Sequence, residues 1–529
     1  MLSSPIADFL RSFKAHDAAV LAADGADEMI RVHAVTSRLG GLYERMRYFV
    51  DHKEEHTIRR SAIERMLKRK LVFEQQKEVG RSLVHELVSA GYLPNESATE
   101  RAAAQVQRIA HAYAALERAV RSRTSDQKIL APIIGLAASE IEALWYGTVI
   151  DDLIAKAFYE SIRPRVSCDA PLSEEELNAQ VYIACRRTLL RNDDQVIRYA
   201  FWCDVRSQPA DENLSIEPEE DESSAISADR YILFAKRMHI ALNHPLGNQF
   251  SVKLRNHAIY FALIREIAET HGAATERIMG DPELLAREAE QLLKPKYEKT
   301  NRRARQSGIR AVIYIMCTKI LLAAGGELPY EIFILHAVNY PALAINIIFH
   351  PLLLLAMTWS IAPLGAENTR LVLAGMREIL YGENKQLIRL NSKKSKGALH
   401  LFFGACYAVL VCAIFGLIAW GLYRLHFNPV SAALFLFFLT VVSYLGFRVR
   451  YTAQQWRVRI SEDEGGLSLF VSALTLPIVR VGRWMSKTFS SINLLVFIMD
   501  FIIETPFKLL LKFFDGFLSF LKEKKEETY

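Results

Sequence analysis

Two long uncharged runs in the C-terminal third of the chain constrain its fold more than any other feature. Leu399 to Tyr423 and Phe427 to Phe447 contain no Asp, Glu, Lys or Arg, and each reaches the roughly 20 apolar residues that a helix needs to cross a bilayer. Lipid offers the backbone no hydrogen bonds, so both runs must be helical. Since only Arg424, Leu425 and His426 separate them, the sequence predicts a transmembrane helical hairpin.

Basic residues flank this hairpin on its outer sides. Because Lys and Arg stay on the cytoplasmic side of a membrane, both ends of the hairpin and both chain termini are expected there. A second basic run precedes the first apolar segment and favours anionic lipid headgroups over nucleic acid as its partner. The expected headgroup contacts are Lys294, Lys296, Lys299, Arg302, Arg303, Arg305, Arg448, Arg450, Arg457 and Arg459.

Small residues recur at every fourth position of the first run, at Gly404, Ala408, Cys412 and Gly416. Such a stripe lets another helix backbone approach closely. We expect it to pack against the second helix of the same hairpin, and a homo-oligomer interface is the alternative.

The residues before Arg310 have a different character. They contain no run of 18 uncharged apolar residues and no signal-peptide pattern, which predicts a cytoplasmic location. Their apolar residues recur with helical spacing, and alternating strand patterns are nearly absent. The six cysteines show no zinc-binding spacing and are expected to be reduced thiols.

We therefore expect an all-α chain, with a cytoplasmic helical domain, a multi-pass α-helical membrane region and a C-terminal amphipathic helical tail. The expected parts are a helical domain at 1–206, an acidic disordered loop at 207–229, a second helical part at 230–306, a polar membrane hairpin or re-entrant segment at 307–365, a basic cytoplasmic loop at 366–398, the transmembrane hairpin at 399–447, and a basic, amphipathic interfacial tail at 448–529.

The segment from 309 to 363 has two interpretations. Either two helices cross the membrane with Glu327 to Glu331 outside, or the segment dips in and returns, because Lys319 and the prolines at 341 and 351 interrupt its apolar runs.

Four polar residues of this segment, His336, Asn339, Asn346 and His350, would share one face of an unbroken helix. Polar groups at membrane depth are costly and often belong to a solute or proton path. The alternative, which we favour from sequence, is a half-submerged segment whose polar stripe touches headgroups.

The pattern HxxEH at His52 to His56 resembles the zinc motif of inverzincin metallopeptidases, which would make the two histidines metal ligands. No third ligand stands out, and basic neighbours oppose a divalent cation. A solvated helix face is the expectation, with no cofactor and no catalytic residue. Phosphate-loop, dinucleotide-binding and nucleophile-elbow motifs are absent from the sequence.

The sequence thus favours a non-enzymatic protein anchored in a membrane, with a bacterial inner membrane as the expected location. Its helical domain would bind an unidentified cytoplasmic protein. The first alternative is a transporter or channel component that uses the polar segment 331–351, and a membrane metallopeptidase is a distant second.

Overall fold

A computed structural model describes residues 2–21, 55–73, 78–93, 99–207, 228–382, 387–390, 398–458, 475–485 and 488. These residues form two compact units. The first, the N-terminal unit, holds the described residues up to Arg277 together with those of 379–391. The second, the membrane unit, holds residues 278–378 and the described residues of 392–493.

The N-terminal unit is built from helices, as the spacing of its apolar residues predicts. Their bounds are α1 Ser4–Leu21, α2 Glu55–Lys68, α3 Val79–Ser89, α4 Glu100–Arg121, α5 Gln127–Leu130, α6 Pro132–Ala143, α7 Val149–Ile162, α8 Glu174–Cys185, α9 Asp194–Ser207, α10 Ala228–Leu242, α11 Gly247–His271 and, reaching the boundary between the units, α12 Thr275–Gly280.

Side-chain caps define several of these helix starts. Thr99 accepts a hydrogen bond from the backbone N–H of Ala102 at the start of α4. Ser173 and Glu176 form a reciprocal capping box at the start of α8, which satisfies backbone donors that the helix leaves free. Both caps are formed by residues close in sequence.

Aromatic residues fill the core of the N-terminal unit. Trp202 is almost fully buried and meets Tyr231 edge to face, with ring centroids 5.4 Å apart. Phe158 of α7 stacks on Phe261 of α11 at 4.6 Å. Such pairs add about 0.5–1.5 kcal/mol beyond the burial of their area.

One short parallel strand pair joins distant parts of the chain within this unit. Strand β1, Val166–Cys168, pairs with β2, Ile388–Leu390, with Val166 opposite Ile388. The backbone N–H of Ser3 also donates to the carbonyl of Leu380. The segment expected to be a basic cytoplasmic loop, 366–398, thus belongs partly to the N-terminal unit.

The membrane unit contains long apolar helices. They are α13 Pro282–Leu322, a continuing helical run of Ala323–Glu327, α14 Leu328–Tyr330 and Glu331–Leu335, then α15 Tyr340–Trp359, α16 Ala366–Tyr381, whose last residues belong to the N-terminal unit, α17 Ala398–Arg424 and α18 Pro429–Ala453. Four stretches of the described residues are long and apolar enough to cross a membrane: Pro282–Leu335, Tyr340–Trp359, Gly404–Arg424 and Pro429–Ala453. The two uncharged runs of the predicted hairpin at 399–447 coincide with the last two of these helices.

The structure differs from the sequence expectation at the first apolar pair. The chain remains helical through Glu327 and Glu331, in wider π-helical turns, and reverses at 336–339. His336 there adopts a left-handed backbone conformation with φ of 50°. Pro341 lies in the first turn of α15, where its missing N–H costs nothing, and Pro351 is accommodated inside the helix.

The boundary between the units also differs from expectation. The second helical part was expected to extend to residue 306, whereas residues 278–306 belong to the membrane unit. The reason is that α13 runs without interruption from Pro282 to Leu322, so the basic run and the first apolar segment share one helix of about 60 Å.

The small-residue stripe of α17 does not pack against α18 as expected. Gly404, Ala408, Cys412 and Gly416 are all exposed within the described residues, and a Cβ added at Gly404 or Gly416 would meet nothing within 4 Å. Helix α17 is instead buried at Ile414 and Leu422, on another face.

Candidate functional site: a buried charged cluster

One face of the α13 helical run is buried at steps of about four residues. It carries Ile315, Lys319, Ala323, Glu327 and Glu331. The face packs against α15 and α18, whose buried residues follow the same spacing. Charged side chains therefore lie in the interior of the helix packing rather than on its surface.

Lys319 and Glu327 are joined through an amide. The Lys319 ammonium donates to Oδ1 of Asn346 over 2.7 Å, and Nδ2 of Asn346 donates to Oε1 of Glu327. The exposed fractions are 2 % for Lys319, 3 % for Glu327 and 1 % for Asn346. Oε2 of Glu327 is buried with no hydrogen-bond partner among the described residues. A buried carboxylate oxygen without a donor is costly, so this atom is a natural acceptor for a ligand.

His350 lies one helical turn beyond Asn346 and is fully buried. Its two ring nitrogens lie 3.1 Å from the carbonyl of Asn346 and 3.0 Å from the carbonyl of Phe435. The ring thereby ties α15 to α18 and orients the helix that carries Asn346.

Glu331 connects the two turns between helices, at 336–339 and 424–428, at one end of the membrane unit. One of its carboxylate oxygens accepts the backbone N–H of Asn339 over 3.0 Å, and the other accepts Nδ2 of Asn428 over 2.7 Å. Asn339 also donates to the carbonyl of His426 and caps α15, while Asn428 caps α18. A single carboxylate thus holds the starts of two helices together.

Apolar side chains close the cluster on the opposite side. Ile315, Leu354 and Val442 form a small core in which none is more than 5 % exposed. Ile315 lies one turn from Lys319, and Leu354 lies one turn from His350. The polar groups consequently extend from the cluster toward the turns and stop at this apolar layer, which we call the apolar seal.

The structure divides the predicted polar stripe. Asn346 and His350 lie in the buried cluster, and Asn339 is a cap beside Glu331. His336 is exposed in the turn and does not share their face, because the helix ends before it.

Sequence reasoning did not include Lys319, Glu327 or Glu331 among its site residues. It treated Lys319 as an obstacle to a membrane span, and it placed the two acids in an external connection only in the first of its two interpretations. The available signal was their spacing of eight and four residues, which matches one helix face once the segment is taken as continuous.

The basic residues predicted to contact lipid lie at the other end of the membrane unit. Lys296 stacks on Trp456 at 5.0 Å, and Arg457 donates to the carbonyl of Ala362 over 2.6 Å. Asn301 exchanges two hydrogen bonds with the backbone of Leu364. The basic part of α13 and the C-terminal end of α18 are therefore neighbours. Of the expected tail at 448–529, only residues 448–458, 475–485 and 488 are described, so Arg459 and the C-terminal part of the tail lie outside the described residues.

The HxxEH motif is largely beyond what the structure describes. His52 lies outside the described residues, and of His56 only the backbone, within α2, is described. In the described ranges, no group of three or more His, Cys, Asp or Glu residues could hold a metal ion.

Glu142 and His257 are among the ionisable groups of the N-terminal unit whose pKa values are perturbed. Burial raises the pKa of Glu142 to about 7, although Arg59 lies 3.4 Å away and lowers it in part. Burial, with a smaller contribution from Arg165, lowers the pKa of His257 to about 4. These groups make the stability of this unit depend on pH.

The described residues define a mostly helical membrane protein with four helices apolar enough to span a bilayer and a buried charged cluster among them. Comparisons with family models, with curated proteins and with solved structures found no match.

Proposed function

We propose that the protein is a transporter or channel component whose buried cluster binds a proton or another small monovalent cation during passage through the membrane. The observation that carries this proposal is the charge balance of the cluster. Its charged side chains are one ammonium, Lys319, and two carboxylates, Glu327 and Glu331, each at most 3 % exposed. With these three groups ionised and His350 neutral, the cluster carries one net negative charge, which one added positive charge would neutralise.

The energetic cost of the cluster supports the same conclusion. Ionisable groups inside apolar helices are expensive, and a simple membrane anchor needs none of them. Replacing buried charges by apolar residues is often neutral or stabilising, so their presence calls for a role other than stability.

The experiment is proton flux into proteoliposomes that contain a pH-sensitive dye. We expect Glu327→Gln to lower the flux by about a hundredfold, because it removes the proton acceptor. Glu298→Gln, an exposed acid on the same helix, is the matched control and should leave the flux unchanged. Equal flux in wild type and Glu327→Gln would overturn the proposal for protons, and the same assay with Na⁺ and K⁺ gradients would test the other cations.

A partner-binding membrane anchor is the second candidate function. It is favoured by one exposed face of α10, where Leu233 and Ile240 are 54 % and 66 % exposed and flank the exposed Lys236 and Arg237. An apolar face bordered by basic residues suits an acidic protein partner. Leu233→Glu with Ile240→Glu should then abolish a co-purifying partner that Glu298→Gln retains.

The proposed arrangement has both termini on the cytoplasmic side of a bacterial inner membrane. The clustering of basic residues at one end of the membrane unit, opposite the two turns, supports this orientation. Under it, the turns at 336–339 and 424–428 face the other side.

A further inference from the structure

We infer that the buried cluster is accessible to a proton only from the end of the membrane unit at which the two helical turns lie, and that Glu331 is the residue through which the proton reaches Glu327. This inference rests on the proposed function and adds the side of access and the residue that provides it.

Glu331 occupies the position through which a proton would enter from the turn end. It lies four residues from Glu327 on the same buried face, between that residue and the turn at 336–339. A carboxylate at this place can accept a proton from the turn side and pass it to the unpartnered Oε2 of Glu327. In this step the O–H bond at Glu331 breaks and an O–H bond at Glu327 forms, so Glu331 returns to a carboxylate and Glu327 becomes neutral.

Hydrogen-bonding groups link Glu331 to the exposed turns. Glu331 accepts from Asn339 and Asn428, and Asn339 donates to the carbonyl of His426. His336 and His426 are both exposed, each with a left-handed backbone conformation in its turn. Polar groups therefore run from the exposed turns inward to the cluster.

The apolar seal lies on the other side of the cluster. On the side of Lys319 and His350 that faces away from the turns lie Ile315, Leu354 and Val442, which are nearly fully buried. They offer neither a donor nor an acceptor to a moving proton. The cluster therefore has hydrogen-bonding side chains on the side of the turns and apolar side chains on the opposite side.

The test is labelling of single cysteines in a variant whose native cysteines are replaced by Ala. Glu331→Cys and Ile315→Cys are the test positions. His336→Cys at the turn end and Arg302→Cys at the basic end report the orientation of the vesicles. The probe is a small, membrane-impermeant cationic methanethiosulfonate, applied to each side of sealed vesicles in turn.

We expect Glu331→Cys to react only from the side that labels His336→Cys, and at least about tenfold faster than Ile315→Cys, since thiol reaction follows accessibility. Reaction of Glu331→Cys from the side that labels Arg302→Cys would overturn the inference, as would no reaction from either side. Equal reaction of Ile315→Cys would also overturn it, because the seal would then be open.

Flux measurements separate this inference from the proposed function. Glu331→Gln should lower proton flux by about a hundredfold, and Glu331→Asp, which keeps a carboxylate, should restore part of it. If Glu327→Gln abolishes flux and Glu331→Gln does not, the inferred role of Glu331 fails and the proposed function stands. If wild type carries no flux, the proposed function fails, and the labelling alone decides the side of access.

Discussion

Neutralising one member of the Lys319 and Glu327 pair should destabilise the protein as much as neutralising both. The two side chains are at most 3 % exposed, and Asn346 bridges them. One bridging carboxamide separates the charges by roughly 6 Å, and at an effective dielectric constant of about 20 their attraction is about 3 kcal/mol. Either charge left alone loses this compensation while it remains buried.

We expect Lys319→Met and Glu327→Gln each to lower the free energy of unfolding by about 3 kcal/mol. The double variant should lose no more than about 3 kcal/mol, rather than 6, because two interacting sites are not additive. The assay is reversible unfolding in mixed micelles with a rising fraction of sodium dodecyl sulfate, followed by circular dichroism.

The control for this cycle is Lys319→Met combined with Glu298→Gln, an exposed acid of the same helix. These two substitutions should be additive to within about 0.5 kcal/mol. If Lys319→Met and Glu327→Gln are equally additive, the two charges do not interact and the argument from the buried cluster is wrong.

Three further predictions concern topology, packing and pH. Single cysteines at positions 1, 385 and 525 should resist an impermeant thiol reagent in intact cells, and labelling at 385 alone would contradict an even number of crossings. Gly482→Ala should destabilise the protein by about 1–3 kcal/mol in the micelle assay, because its Cβ would collide with the carbonyl oxygen of Thr440. Gly416→Ala, where the added Cβ meets nothing, should change stability by less than about 0.5 kcal/mol, and equal effects would refute the packing. The pKa of His257 falls from 6.5 to about 4 on folding. The neutral ring therefore contributes stability above pH 6.5, and this contribution is lost as the pH falls toward 4. The free energy of unfolding, measured with urea on the full chain in detergent, should therefore fall less on acidification in His257→Gln than in the wild type, by up to about 3 kcal/mol. An unchanged pH dependence would contradict the low pKa of His257 as its cause.

Several elements could be predicted from local pattern alone. The helix caps at Thr99 and Ser173 involve only residues close in sequence, so no distant contact is needed to specify them. The apolar hairpin follows from length and the absence of charge. In contrast, the burial of Glu327 and Glu331 on one continuous helix face was not predicted, because two acids next to Gly and Pro have the local appearance of a loop.

The sequence by itself determined that the chain is helical, that it has apolar segments long enough to cross a membrane, and that basic residues gather beside them. These properties depend on composition and on spacing within single segments. Only the tertiary structure decided which polar residues meet. Lys319, Glu327 and Asn346 form one cluster because α13 continues through π-helical turns and α15 returns along the same face. The same packing leaves the small residues of α17 uncovered, since a helix face finds its partner through the arrangement of its neighbours and not through its own sequence.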